Sequence, residues 1–209
     1  MSDLPQKLHG KILLIFDFDG TVADTTPLHA AAFSQVLAPL GVMVDYSSIA
    51  GLKTLDAMRQ CLNGAERTLD EAAIAALVTE KQQLGRQMIG QALRPLPGVD
   101  AFLLWARPRY KLAMVTSGSR GTVSLALEKL GYTGLFDPLI CADDVQHAKP
   151  DPEGFLAVLK RTGVPAKQAL VFEDSDAGLV AAASADIDCC DVRLGLFAGW
   201  KCVATNNAR

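Results

Sequence analysis

Short apolar runs punctuate the chain at separations too long for hairpins. Ile12-Leu13-Leu14-Ile15-Phe16 is unbroken and rich in Ile and Leu. Such a run predicts a strand buried on both faces, not one alternating between core and water. KLAMVT (111–116), PLICA (138–142), ALVFED (169–174) and DCCDV (188–192) read the same way. Between them, helical spacing covers roughly 98–107, 119–131, 152–162 and 175–185. Strand alternating with helix predicts an α/β chain with a parallel sheet covered on both faces.

One stretch breaks the alternation. From Pro27 to about Gln91 the pattern is helical throughout, over 27–39, 53–62 and 70–91. Pro39-Leu40-Gly41 and Asn63-Gly64 punctuate it, and Thr68-Leu69-Asp70-Glu71 reads as a capping box opening the longest helix. The expected organisation is a core of residues 1–25 and 95–209 carrying an inserted helical cap, 26–94. The Pro-bearing connections near 26 and 95 would be its hinges. The end of the chain, ATNNAR, reads as frayed.

Half of the 209 residues are hydrophobic and 21% are charged, which suits a well-buried core and argues against extensive disorder. The formal net charge is −3 and there is no long basic run, so nucleic acid is not an expected partner. An anionic ligand would need local positive charge from a metal, a few Lys or Arg, or helix N-termini. The five cysteines, Cys61, Cys141, Cys189, Cys190 and Cys202, form no CxxC or Cys/His cluster. They read as small core residues in a reducing compartment, not zinc ligands. MSDLPQKLHG has no apolar signal-type segment, and no run approaches the ~18 apolar residues of a membrane span. The chain reads as cytoplasmic, off the membrane, and monomeric by default.

Chemistry collects where the strands end, the edge at which open parallel sheets bind ligands. Asp17, Asp19, Gly20 and Thr21 follow the first run, and Thr116, Ser117 and Gly118 the second. Asp143, Asp144 and Lys149 follow the third, and Glu173, Asp174 and Ser175 the fourth. Unpaired buried carboxylates cost several kcal/mol. A hard divalent cation, Mg²⁺, resolves so many oxygens at one edge. Asp17 reads either as a turn-capping aspartate or as a nucleophile that attacks phosphorus beside a metal. Asp19 would then protonate the leaving oxygen and activate the water. A calcium loop is excluded, because an EF-hand needs Gly sixth and Glu twelfth, whereas here Gly20 is fourth and Leu28 twelfth. Thr116, with the N–H groups of Ser117 and Gly118, reads as a phosphoryl cradle or as a plain helix N-cap. Lys149 faces the acids, Asp174 suits a metal, and Glu173 is grouped with the metal site as its neighbour.

Taken in order, DFDGTVADT, VTSG, KPDP and FEDSDAG resemble the haloacid dehalogenase superfamily, and DTTPLHAAAF and the helical block resemble its β-phosphoglucomutase-like subgroup. The resemblance runs from Ile12 to Arg193. It implies a Rossmann-like core, Mg²⁺ and phosphoryl transfer through a phosphorylated Asp. Asp17 would be nucleophile, Asp19 acid/base, and Thr116 and Lys149 phosphate partners. The metal ligands would be the Asp17 carboxylate, the Asp19 backbone carbonyl and Asp174. His29, early in the cap, would approach the general acid and substrate. Where the mutase has a cap Arg for a second phosphate, this chain has Thr54, with Lys53 before it. The mutase's phosphate-loop Lys is replaced by Ser119, followed by Arg120 as a candidate substitute. These departures lean toward hydrolysis of a small monophosphorylated metabolite over mutase chemistry, and toward the fructose-1-phosphate and 6-phosphogluconate phosphatase type.

Overall fold

The central strand is β1 (Leu13–Phe16), all of whose residues are buried. Its neighbours are β2 (Lys111–Val115) and β4 (Ala169–Glu173), with β3 (Leu139–Ile140) and β5 (Asp188–Asp191) at the edges. The order is β3-β2-β1-β4-β5, with every pairing parallel. Phe16 lies opposite Met114 on one side and Phe172 on the other, so the central strands end in register. The chain adds β2 and β3 on one side of β1, then returns to place β4 and β5 on the other. That reversal opens a crevice beyond the tip of β1. This computed structural model describes residues 4–197. Trp200, Cys202 and the ATNNAR end, which the sequence assigns to packing, core and fraying, lie outside the described residues.

The two faces of the sheet sort by strict alternation. Leu14, Phe16, Met114, Leu170 and Phe172 point into one cluster, and Leu13, Ile15, Ala113, Val115 and Val171 into the other. The first is covered by α1 (Leu4–Leu8), α5 (Val99–Ala106) and α6 (Arg120–Lys129), the second by α7 (Glu153–Thr162) and α8 (Asp176–Ser184). Phe16 stacks on Phe172 with centroids 4.8 Å apart, and Phe102 of α5 meets both rings edge-on.

Between residues 26 and 92 the only regular elements are helices. They comprise α2 (Thr26–Leu37), α3 (Thr54–Gly64) and α4 (Glu71–Ala92), with short 3-10 turns at Ala38–Leu40 and Tyr46–Ser48. They enclose a separate apolar cluster built on Phe33, Leu37, Met58 and Leu62. The connections into and out of this block run side by side. Ala23 pairs antiparallel with Pro95, and the exposed Asp24 donates its backbone N–H to the Arg94 carbonyl at 2.9 Å. No helix among the described residues is long and apolar enough to cross a membrane.

Some local expectations shift. The cap of α4 is Asp70, whose carboxylate accepts from the Ala73 N–H at 2.7 Å; Thr68 lies two residues too early. The edge strand β3 is shorter than PLICA because Asp144 folds back and accepts the Cys141 N–H at 2.7 Å, turning the chain into a 3-10 helix at Ala142–Asp144. The helix α1, too short for a periodic signal, was not expected.

Candidate active site

The tip of β1 carries Asp17 into a buried ion cluster. Lys149 Nζ donates to Asp17 Oδ1 at 2.6 Å, to Glu173 Oε2 at 2.7 Å and to the Val115 carbonyl at 3.0 Å. These three acceptors match the ammonium's three protons, so Lys149 is fully satisfied. The charges and hydrogen bonds of Asp17 and Glu173 outweigh burial and hold the lysine above its ordinary value. Glu173 Oε1 is also taken, accepting from the Ser175 hydroxyl at 2.8 Å and its N–H at 3.2 Å. Both oxygens of Glu173 are thus engaged by protein donors. Asp17 keeps Oδ2 and Asp174 keeps Oδ2, since Asp174 Oδ1 accepts from Thr21 at 3.3 Å.

Burial, followed by the charge of Glu173, raises Asp17 well above the usual carboxylate range, with Lys149 pulling the other way. The same causes push Asp174 up to about 7. One oxygen from each of Asp17, Glu173 and Asp174 lies within 4.8 Å of the others. The buried Asp17 and half-buried Asp174, each with an open oxygen and each disfavoured as an anion by desolvation and Glu173, form a donor set that suits a hard cation. The Asp19 carbonyl accepts no backbone hydrogen bond among the described residues. Gly20 is required beside them. Its φ is +82°, and a Cβ there would lie 2.0 Å from Asp174 Oδ2.

Asp19 has different surroundings. Its Oδ1 accepts from the Thr25 hydroxyl at 2.6 Å and lies 3.0 Å from His29 Nε2. Burial disfavours its charge, but His29, Thr25 and Lys81 together outweigh burial and bring it down to about 2. Thr25 is the N-cap residue of α2, yet its side chain makes no capping bond. Its hydroxyl serves Asp19 instead, giving up about 1 kcal/mol of helix capping. His29 Nδ1 is in turn 3.0 Å from Lys81 Nζ, which sits over the Phe33 ring at 4.5 Å.

Neither Lys81 nor Tyr46 is singled out by the sequence reading. A signal exists for Lys81, because Ile74, Lys81, Gly85 and Ile89 are the buried positions of α4, and the lysine sits on that apolar stripe. Tyr46 carries none, since an aromatic in a loop is commonplace. Burial, with Asp19, Asp174 and Asp17 facing it, holds the Tyr46 phenol above its ordinary value, so it stays a donor.

Burial pulls Lys81 down to about 8 against an ordinary 10.5, with Asp19 opposing. Below that value both folded and unfolded chains hold the proton, and the fold bears the full burial penalty. Above it the fold sheds the proton while the unfolded chain keeps it to about 10.4. The wild type should therefore gain stability relative to Lys81→Met between pH 8 and 10, by on the order of 3 kcal/mol at most. Urea unfolding of both proteins at pH 7.5 and 10 reads this directly; parallel pH profiles would contradict it.

A cavity of about 550 Å³ joins these groups, lined by Asp17, Asp19, His29, Thr54, Lys81 and Asp174 among others. A second, of about 360 Å³, shares Asp19, His29, Thr54, Lys81 and Gly118 and extends to Gln82, Ser119 and Thr122. Ser117 and Gly118 line the first; the Gly118 N–H donates to Thr116 Oγ1 at 3.0 Å and the Ser117 hydroxyl to the Gly51 carbonyl at 2.5 Å. Two expected substrate residues face elsewhere. Lys53 Nζ donates to the Val145 carbonyl at 2.9 Å, tying the helical block to the loop before Lys149. Arg120 pairs with Asp144 and the Leu139 carbonyl, while its N–H donates to Asp143 at 2.6 Å. Asp143 and Asp144 thus anchor the start of α6 and the turn after β3.

The haloacid dehalogenase-like hydrolase model matches residues 14–192. The fructose-1-phosphate phosphatase YqaB of Escherichia coli is 36% identical over 181 residues, covering 87% of this chain and 96% of that protein. The validoxylamine A 7′-phosphate phosphatase of Streptomyces hygroscopicus subsp. limoneus is 34% identical, covering 84% and 82%. The β-phosphoglucomutase of Clostridium difficile superposes with a TM-score of 0.79 at 23% identity, over 89% of this chain and 88% of that one, which is a likeness of fold. The family match begins inside the central strand and ends just past the edge strand β5, spanning the whole sheet and the helical block, and on that extent this chain belongs to the haloacid dehalogenase-like hydrolase family.

Proposed function

We propose that this chain is a Mg²⁺-dependent phosphatase that hydrolyses a small phosphorylated sugar or related metabolite through an aspartyl-phosphate on Asp17. The observation that carries the reading is the division of labour between two aspartates two residues apart. Asp17 is buried, with one oxygen tied to Lys149 and the other open at the strand tip; Asp19 is held as an anion by Thr25 and His29. The first arrangement suits an oriented nucleophile, and the second keeps Asp19 ionised and fixed in orientation beside it. The acid half of Asp19's role needs a proton brought to it, and His29 Nε2 is the ring nitrogen in contact.

Asp17, Asp174 and the Asp19 carbonyl would hold Mg²⁺, with Glu173 orienting Lys149 and Ser175 behind them. Bound there, the ion neutralises charge on the phosphoryl oxygens. Lys149 holds Asp17 in place and adds positive charge on the same side. Residues 26–94 serve as a cap over a core of 1–25 and 95–209, excluding water and contacting the organic part of the substrate. The named activities of the relatives, on fructose 1-phosphate and validoxylamine A 7′-phosphate, support a phosphorylated carbohydrate-like substrate. A mutase reading is disfavoured because no arginine among the described residues lines either cavity and Arg120 is committed to Asp144.

The test is phosphate release from a panel of sugar monophosphates with Mg²⁺ and with EDTA. Release with Mg²⁺, its loss in EDTA and its return with added Mg²⁺ are expected. Full activity in metal-free buffer would refute the metal site, and conversion of β-glucose 1-phosphate to glucose 6-phosphate without release would install the mutase instead.

A further inference from the structure

The proposed reaction uses the acids, Lys149 and His29, and leaves Tyr46 without a task. This residue opens the 3-10 turn between α2 and α3. Asp45 fixes that turn by accepting from the Ser47 N–H at 3.1 Å and the Ser47 hydroxyl at 2.6 Å. The Tyr46 ring rests against Phe33 with centroids 6.2 Å apart, inside the apolar cluster of the helical block. Its position is therefore set by packing and capping. Tyr46 lines the catalytic chamber with Asp17, Asp19 and Asp174. Its hydroxyl makes no protein hydrogen bond among the described residues. A half-buried hydroxyl that finds no acceptor in the protein is available to a partner arriving with the substrate.

The second cavity, which shares Asp19, His29, Thr54, Lys81 and Gly118 with the first, shows what kind of partner fits. Thr54, Gln82, Ser119 and Thr122 line it with uncharged donors and acceptors. Lys81 is the amine present there, and it is already engaged by His29. That surface matches an organic group bearing several hydroxyls.

We propose that Tyr46 is a specificity-determining residue: its hydroxyl donates a hydrogen bond to an oxygen of the substrate's organic part, selecting polyhydroxylated phosphomonoesters over those of plain alcohols. The inference rests on the phosphatase reading. Tyr46→Phe keeps the ring and its contact with Phe33, so folding is preserved. The experiment compares kcat/KM of wild type and Tyr46→Phe on fructose 1-phosphate, glucose 6-phosphate and glycerol 1-phosphate, and on phenyl phosphate, whose leaving group carries no further hydroxyl. Expected is a loss of roughly tenfold on the best hydroxylated ester and about twofold or less on phenyl phosphate, the size of one neutral hydrogen bond. Equal losses on both kinds of ester, or no loss on either, overturn the role of Tyr46 while leaving the phosphatase reading intact. A wild type that releases phosphate from none of the esters overturns the phosphatase reading, and this inference falls with it.

Discussion

Asp17→Asn should lose turnover by roughly 10³- to 10⁶-fold, the range seen when an enzyme's nucleophile is removed, and should keep its fold. The substituted amide can still accept from Lys149, so the contact that positions residue 17 survives. Burial and the charge of Glu173 already hold the Asp17 carboxyl above its ordinary range. The sign follows: a carboxyl raised in the folded state makes its ionised form a burden near neutral pH, and a neutral side chain removes that burden. The melting temperature of Asp17→Asn should therefore equal or exceed that of the wild type. Phosphate release and a thermal melt on the same preparation check both halves. Hydrolysis at the wild-type rate by a folded Asp17→Asn protein would end the covalent mechanism.

Lys149→Met should fail on both counts. The ammonium is buried between two carboxylates, at 2.6 Å from Asp17 and 2.7 Å from Glu173. Removing one partner of such a pair leaves uncompensated buried charge, with a penalty of about 3–5 kcal/mol. For a chain of this size that lowers the melting temperature by about 10 °C. Activity should drop by about 10²-fold or more, since the oriented positive charge beside the reacting carboxylate is gone. Adding Glu173→Gln to Lys149→Met removes one of the stranded charges, so the double variant should regain part of the melting temperature without regaining turnover. If the single variant melts with the wild type, the buried cluster is not holding the strand tips together. If it also turns over normally, Lys149 has no part in the chemistry.

The alternation of apolar runs with helical spacing was enough to read the parallel sheet, because a strand buried on both faces and an amphipathic helix leave different periods in a sequence. The interruption from Pro27 to Gln91 was legible for the same reason. The acids and hydroxyls were legible as a group because polar residues directly after apolar strands stand out against the core. Thr68 was misread as the cap of α4 because several residues nearby could accept a backbone N–H, and only the path of the chain selects Asp70.

What the sequence determined by itself is the set of groups that meet at one edge: Asp17, Asp19, Thr116, Lys149 and Asp174 follow strands and Glu173 ends one, and parallel strands in register must end together. What only the tertiary structure decided is how those groups are occupied. Both oxygens of Glu173 go to Lys149 and Ser175, Arg120 goes to Asp144, and Lys53 reaches a backbone carbonyl near the Lys149 loop. Lys81 and Tyr46 join the chamber from the helical block, far from any strand end. The physical reason is that strand order and burial are written in local periodicity, whereas the partner of a long polar side chain depends on which element packs opposite it.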